Sequence, residues 1–302
     1  MTPSRPRRRL LIIYNPTAGR RKRARLEAYL DLLEEAGCAV EYRPTSKRGD
    51  AEAFAADALA ERYDAVVAAG GDGTIAEVAN GLPTEGAAPL GIFPLGTANV
   101  LAAEIGLPLR PAAVVQAVLH GPARPIYPGF VNDRLFTIMA GIGFDAHVVA
   151  SLPPGLKRAM GKGAYVLQSL RRLLDWHGPR YRLCIDGVWH EAASAVIAKG
   201  HYYGGRFICC PDARLEAADF QICLFRLGGR WGVARALLAL PLGLLHKLPE
   251  IQLLRGREVV IEATGGPEPA QAEPVQADGD MAGQLPARLY VATRPLSLIS
   301  PR

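Results

Sequence analysis

The chain has 302 residues, 49% apolar and 21% charged, a composition that excludes disordered and fibrous classes. At roughly 100–200 residues per domain, that length predicts two domains. Lysine and arginine number 35 against 29 acids, a net charge of +6 gathered at the start: Arg5, Arg7, Arg8, Arg9, Arg20, Arg21, Lys22, Arg23 and Arg25 all precede the first acid, Glu27, a pattern suited to an anionic partner or to a solvated arm and helix face.

Residues 10–14 form an apolar run that stops at Asn15-Pro16, short of the roughly 7–15 residues of a signal-peptide core, and read as a first strand. Helical spacing follows at Leu26, Tyr29, Leu30 and Leu33, then a strand at 40–43, helical spacing over 51–59, strands at 65–69 and 90–93, and a helix over 111–119. Runs that are apolar throughout suit parallel strands covered on both faces, so residues 1–128 are expected to form an α/β domain with a parallel sheet. Beyond His120-Gly121-Pro122 the texture changes to strand-like stretches at 135–140, 180–185, 188–190, 194–198, 220–225 and 258–262, with Asp186-Gly187 as a hairpin signal. Residues 129–287 are therefore expected to form an antiparallel, β-rich domain interrupted by helices at 158–174 and 233–245, with 265–277 as a surface loop. The apolar stretch 231–245 carries Arg235 and Pro241 and is shorter than the ~20 residues that span a bilayer. Five cysteines with no CxxC pair, and no histidine at zinc-ligand spacing, signal neither a disulfide framework nor zinc, which makes a cytoplasmic location the simplest expectation. His147, His177, His190 and His201 receive no role beyond a structural one.

The segment Ala68-Ala69-Gly70-Gly71-Asp72-Gly73-Thr74-Ile75 runs from a strand through three glycines into a helix, a junction suited to phosphate because backbone N–H groups and the helix dipole converge there. It is neither a GxxxxGK[ST] loop nor a GxGxxG fingerprint. A carboxylate beside phosphate is repelled unless a cation intervenes or it accepts a proton, so Asp72 points to Mg2+-dependent phosphoryl transfer; the alternative is a turn or cap residue. Tyr14-Asn15-Pro16-Thr17-Ala18-Gly19 and Pro94-Leu95-Gly96-Thr97-Ala98-Asn99 supply two more small-residue turns after strands, where open α/β sheets bind ligands.

These turns, together with Val100-Leu101-Ala102 after the third of them, Gly141-Ile142-Gly143-Phe144-Asp145-Ala146, Tyr202-Tyr203-Gly204-Gly205 and Asp278-Gly279-Asp280, occur in the order and spacing of the diacylglycerol kinase catalytic-domain family, which the chain resembles from about residue 10 to 298. The resemblance implies an NAD-kinase-like α/β domain and a C-terminal antiparallel β-sandwich, with a final segment, 288–302, returning to the first domain. It implies ATP along Asn15, Pro16, Thr17, Ala18, Gly19, Thr45, Gly70, Gly71, Asp72, Gly73, Thr74, Ile75, Ala76, Thr97 and Asn99, and an acceptor contact at Asp145. Where the family's late motif ends in glutamate this chain has Asp280, so Asp280, Asp278 and Asp72 all stand as candidates for the proton acceptor, and Asp72 as the candidate ligand of catalytic magnesium. Leu215-Glu216-Ala217-Ala218 replaces the Leu-Asp-Asp-Gly that holds a structural magnesium in bacterial members, a departure that speaks against that site here. Lys199 stands where an asparagine usually precedes Gly200.

The expected activity is that of an ATP- and Mg2+-dependent lipid kinase acting on a hydroxyl of a diacylglycerol-like or sphingoid lipid. The protein is expected to meet anionic membrane surfaces peripherally, through the arginine-rich start and through Trp231 and the helix after it, and to bind no nucleic acid. The sequence sets neither the lipid nor the oligomeric state. The rival expectations are an NAD-kinase-like small-molecule kinase and a non-catalytic lipid- or nucleotide-binding protein.

Overall fold

The computed structural model describes residues 6–16, 20–83, 85–153, 162–176, 178–264 and 273–301. The chain divides into two compact units, residues 1–126 with 294–302, and residues 127–293.

In unit 1, β1 (Arg9–Tyr14), α1 (Arg20–Glu35), β2 (Ala39–Pro44), α2 (Asp50–Ala55), β3 (Ala65–Gly70), α3 (Asp72–Gly81) and β4 (Leu90–Pro94) follow one another, then α4 (Val100–Glu104), α5 (Pro111–His120) and β5 (Ala123–Ile126). Strands β1 to β4 are parallel, and β3 and β4 are buried along their whole length, as their continuous apolar runs require of a sheet covered on both faces. The helix expected over 51–59 ends at Ala55; beyond it Leu59 bridges to Ala87. A Cβ on Gly81 would stand 2.0 Å from the Glu52 carbonyl oxygen, so only glycine lets α3 run this close to α2.

The basic start is less of an arm than its charge implies. Arg7 Nη1 donates to the carbonyls of Val118 and Gly121, both at 2.9 Å, and the Arg8 and Arg9 amides donate to Asp64 at 2.8 Å. Arg9 also pairs with Asp64, Arg23 with Glu27, and Arg25 donates to the Tyr29 hydroxyl. Arg5 lies outside the described residues. Arg7 and the backbone amides of Arg8 and Arg9 thus help close unit 1, while the Arg8 and Arg9 side chains stay exposed.

Unit 2 runs through β6 (Gly129–Val131), β7 (Arg134–Phe136), β8 (Met139–Ile142), α6 (Phe144–Ala150), α7 (Lys162–Leu174), β9 (Tyr181–Ile185), β10 (Val188–Ala192), β11 (Ser194–Ala198), β12 (Tyr202–Tyr203), β13 (Phe207–Ile208) and β14 (Phe220–Phe225). It continues through α8 (Gly229–Ala239), β15 (Ile251–Gly256), β16 (Glu258–Ala263), β17 (Pro274–Ala277), β18 (Asp280–Gln284) and β19 (Ala287–Val291). Two antiparallel sheets, ordered β10-β9-β16-β19-β6-β7 and β15-β14-β11-β8-β17-β18, form a sandwich around Phe136, Tyr181, Leu183, Ile197, Phe220, Ile222 and Ile261. The hairpin at Asp186-Gly187 has both residues at positive φ, 45° and 88°, as a two-residue turn of that type demands.

Four expectations shift here. The strand expected at 135–140 is two strands, β7 and β8, in different sheets. Residues 274–277, expected in a loop, are β17, a wholly buried strand: Val275 and Ala277 pack in the core, and Gln276 faces the site described below; residues 265–272 lie outside the described residues. The helix expected at 233–245 is α8, which begins earlier at Gly229 and ends at Ala239, before Pro241 and a left-handed Gly243. Of the helix expected at 158–174 the described part is α7. The returning segment also begins later than residue 288: β19 pairs with β6 and β16 in unit 2, and only β20 (Leu296–Ile299) joins unit 1, inserted between β4 and β5. All five cysteines are free. Among the described residues no helix is long and apolar enough to cross a membrane.

Candidate active site

The sheet of unit 1 is ordered β2-β1-β3-β4, so the chain reverses its winding between β1 and β3. Ligands of open α/β sheets bind outside the carboxyl ends of the strands at such a reversal. Asn15 follows β1 there and donates its amide to Ala69 at 3.2 Å; Thr45 follows β2 and donates to Tyr14 at 2.8 Å. Leu95 and Gly96 donate their amides to the Gly70 carbonyl at 2.8 and 3.0 Å, which locks the β3 and β4 turns together.

The glycines in these two turns have a steric reason. A Cβ on Gly96 would lie 2.4 Å from Gly71 Cα, and a Cβ on Gly70 would lie 2.4 Å from Thr74 Oγ1. The result is a backbone-lined cradle that a side chain would fill. No side chain caps α3, so its first amides keep the capacity to receive a phosphate oxygen. The arrangement fits a nucleotide's phosphate chain. Gly96→Ala is expected to force the turns apart and to lower the melting temperature, read by thermal melts of parent and variant.

The remaining nucleotide candidates divide. Thr97 is exposed at the turn, Thr74 and Ile75 are buried in the first turn of α3, and Thr17, Ala18 and Gly19 lie outside the described residues. Asn99 is left-handed (φ 48°), spends its amide on the Gly96 carbonyl at 3.0 Å and leaves Oδ1 buried without a protein partner. Asp72 has a structural duty: its Oδ1 accepts the amides of Val100 (2.7 Å) and Leu101 (3.3 Å), capping α4 from another element. A carboxylate in that position stabilises a helix start by about 1 kcal/mol.

In unit 2 the motifs after β8 and β17 meet. Gly143, at φ 83°, turns the chain from β8 into α6, and Phe144 donates its amide to Ser194 Oγ at 3.1 Å. Asp145 folds back over Gly141, where a Cβ would stand 2.5 Å from its Oδ2. There Oδ2 accepts from Gln276 Nε2 at 2.6 Å and Oδ1 accepts the Tyr203 hydroxyl. Burial pushes the Asp145 carboxyl up, opposed by these hydrogen bonds; beside it, burial and the Asp145 charge push the Tyr203 phenol well up. Gln276 in turn accepts the Gly279 amide at 3.0 Å, and the Gly279 carbonyl accepts from the Tyr165 hydroxyl at 3.2 Å. Asp145 and the Asp278-Gly279-Asp280 turn therefore belong to one hydrogen-bonded unit.

The two late aspartates differ. Asp278, left-handed at φ 49°, accepts four hydrogen bonds: Thr137 N at 2.7 Å and Thr137 Oγ1 at 2.9 Å on Oδ2, Ile138 N at 2.9 Å and Met139 N at 3.1 Å on Oδ1. Burial pushes its carboxyl up, and these donors pull it back in part. It ties the β17–β18 turn to β8. Asp280, half-exposed, opens β18 opposite Ala277.

Beside Asp145 lies a pocket open to solvent, whose wall carries Ile142, Phe144, Val196, Phe225, Val233 and Leu237 with Asp145, Ser194 and Tyr203 as its polar members. The inward face of α8 covers it. α7 and α8 present Tyr165, Leu173, Val233 and Leu237 to a cluster of Phe144, Val148 and Trp176. Their other faces carry apolar residues into solvent: Val166, Leu170 and Leu174 at successive turns of α7, Trp231 and Leu238 on α8, and Leu242 just after it. Trp231 is 74% exposed, so it is not a core residue of the sandwich.

Sequence reasoning had quoted Tyr203 as part of a motif without a role, and missed Gln276, Tyr165 and Thr137. Gln276 was hidden because its partner Asp145 is 131 residues away and only the β17–β8 register brings them together. His147, likewise unassigned, pairs with Glu273 at 2.8 Å, which also accepts the Tyr181 hydroxyl at 2.7 Å.

Residues 9–131 match the family described as diacylglycerol kinase catalytic domain, and residues 138–300 the YegS C-terminal NAD kinase beta sandwich-like domain. The chain is 40% identical over 210 residues to a protein of Pseudomonas aeruginosa named "Probable lipid kinase YegS-like", covering 68% of each. It is 33% identical over 224 residues to the "Diacylglycerol kinase" of Bacillus subtilis, covering 72% of this chain and 74% of that one. A diacylglycerol kinase of Bacillus anthracis shares the fold, with a TM-score of 0.75 at 23% identity over 97% of each chain. The paired turns of unit 1, the sandwich of unit 2 and these likenesses agree: the chain belongs to the diacylglycerol kinase catalytic-domain family, with a YegS-type C-terminal domain.

Proposed function

We propose that this protein is an ATP- and Mg2+-dependent lipid kinase that phosphorylates a hydroxyl of a diacylglycerol-like or sphingoid lipid at a membrane surface. The observation that carries this reading is the unit 2 pocket, an apolar wall with a carboxylate and a phenol set into it, which is the chemistry of an acyl chain ending in a hydroxylated head group. Asp145 and Tyr203 bind and orient that head group, and Gln276 holds Asp145 in place. Backbone amides of the Gly70–Thr74 and Leu95–Thr97 turns receive the phosphates, with Asn15 and Thr45 beside them and Asp72 the residue that would hold the accompanying magnesium. ATP supplies the γ-phosphoryl group when bound. The acceptor hydroxyl loses its proton to Asp280 as its oxygen bonds to phosphorus and the bond to ADP breaks; Asp278 is unsuited to this because its oxygens serve Thr137, Ile138 and Met139.

Access to a bilayer follows from the outward faces of α7 and α8. Their exposed leucines, Val166 and Trp231 would enter the interface, with Arg226, Arg230 and Lys247, also exposed, against anionic head groups. Co-sedimentation with vesicles of phosphatidylglycerol and phosphatidylcholine tests this. The Trp231→Ala/Leu238→Ala protein is expected to bind ~10-fold more weakly at high and low salt, whereas Arg226→Gln/Arg230→Gln is expected to weaken binding only at low salt. Equal binding of the parent and the apolar double variant would remove these helices as the docking face. Truncating the first nine residues is a poor test, since Arg7 and the Arg8 and Arg9 amides hold unit 1 together.

A further inference from the structure

The resemblance would place a divalent ion at Leu215-Glu216-Ala217-Ala218, and unit 2 holds a different cation there. Lys199, the residue after β11, is fully buried; its ammonium donates to the carbonyl of Asp219 at 2.9 Å and to the carbonyl of Ala217. The same ammonium lies 6.0 Å from the Phe220 ring centroid. The Lys199 backbone is fixed as well, its amide donating to Ile138 at 2.7 Å. The carboxylates near the loop are engaged elsewhere or turned to solvent: Asp219 pairs with Arg255 at 2.9 Å, Asp212 accepts from Gln221 at 3.3 Å, and Glu216 is exposed. Among the described residues no cluster of three or more histidine, cysteine or acidic side chains could hold a metal. Burial pushes the Lys199 ammonium down to about 8, opposed by Asp219 and Glu216, so it keeps its charge at pH 7. Magnesium requires a near-octahedral set of oxygens, and in the same carbonyl cradle it would meet a positive charge already in place. The residues present do not fit the ion.

We propose that the Lys199 ammonium does within the chain what a structural magnesium does in relatives with Leu-Asp-Asp-Gly: it draws the carbonyls of 217 and 219 onto one positive centre and orders the segment that leads into β14. That segment follows Cys209, which lines the pocket beside Asp145. Any magnesium requirement then resides with the nucleotide alone. The inference does not depend on the lipid-kinase reading, and its test uses no substrate.

The test combines metal analysis with thermal melts of the full chain, without nucleotide, in millimolar Mg2+ and in EDTA. The parent protein is expected to carry no stoichiometric magnesium after dialysis and to melt at the same temperature in both buffers. Lys199→Met, which keeps the stem and removes the charge, is expected to melt roughly 5 °C or more lower, with no rescue by Mg2+. The combined variant Lys199→Asn/Glu216→Asp/Ala217→Asp/Ala218→Gly is expected to gain melting temperature in Mg2+ over EDTA. Stoichiometric magnesium in the parent, a lower parent melting temperature in EDTA, or an unchanged melting temperature for Lys199→Met would each overturn the proposal. If Lys199→Met yields no folded protein, the metal content and chelator response of the parent still decide it.

Discussion

Asp280→Asn is expected to lower kcat by at least ~10²-fold in a protein that remains folded, because the change is nearly isosteric and removes the charge and the proton-accepting capacity of the carboxylate. Asp278→Asn is expected to show the opposite balance. Asparagine keeps one acceptor oxygen where the carboxylate uses both, so amides of the Thr137–Met139 stretch lose partners, and a buried donor left unsatisfied costs about 1–3 kcal/mol. Its melting temperature should therefore fall clearly, with a smaller loss of turnover per folded molecule. Steady-state kinetics and melts on both variants check the contrast. Wild-type turnover in Asp280→Asn would move the proton acceptor to Asp72.

Ala236→Trp is expected to raise KM for a lipid acceptor by at least ~10-fold with KM for ATP unchanged. Ala236 lines the pocket from α8, and an indole there occupies the space proposed for an acyl chain. A matching assay with a short-chain, water-dispersed acceptor should show a smaller penalty, since less of the pocket is needed. Equal KM values for long-chain lipid in parent and variant would mean that the chain binds elsewhere.

Much of unit 1 was legible in the sequence because β1, β3 and β4 are near-continuous apolar runs followed by glycine or proline turns, and parallel pairing between such runs has few alternatives. The glycines of those turns were legible as tight turns suited to phosphate, whereas the contact between Gly71 and Gly96, which requires glycine, appears only once β3 and β4 are neighbours. Asp72 was read for its charge, with a turn or cap residue as the alternative. Its role at the start of α4 depends on a turn 28 residues later. Unit 2 hid more, since antiparallel sheets of a sandwich pair strands far apart in sequence. β17 looked like a loop because Pro274 and Gln276 are poor strand residues; a single buried segment supplies Val275 to the core and Gln276 to Asp145. Lys199 stood out as a departure, but the two carbonyls it serves lie 18 and 20 residues on and carry no sequence signal.

The most direct test of the central claim is transfer of labelled phosphate from [γ-32P]ATP, with magnesium, to a panel of diacylglycerol, phosphatidylglycerol, sphingosine and ceramide in mixed micelles. NAD is offered in parallel, and products are identified by mass spectrometry. The account predicts a labelled lipid whose formation is lost in Asp280→Asn. Label transferred to NAD, or no labelled lipid from any member of the panel by a folded parent protein, would contradict it.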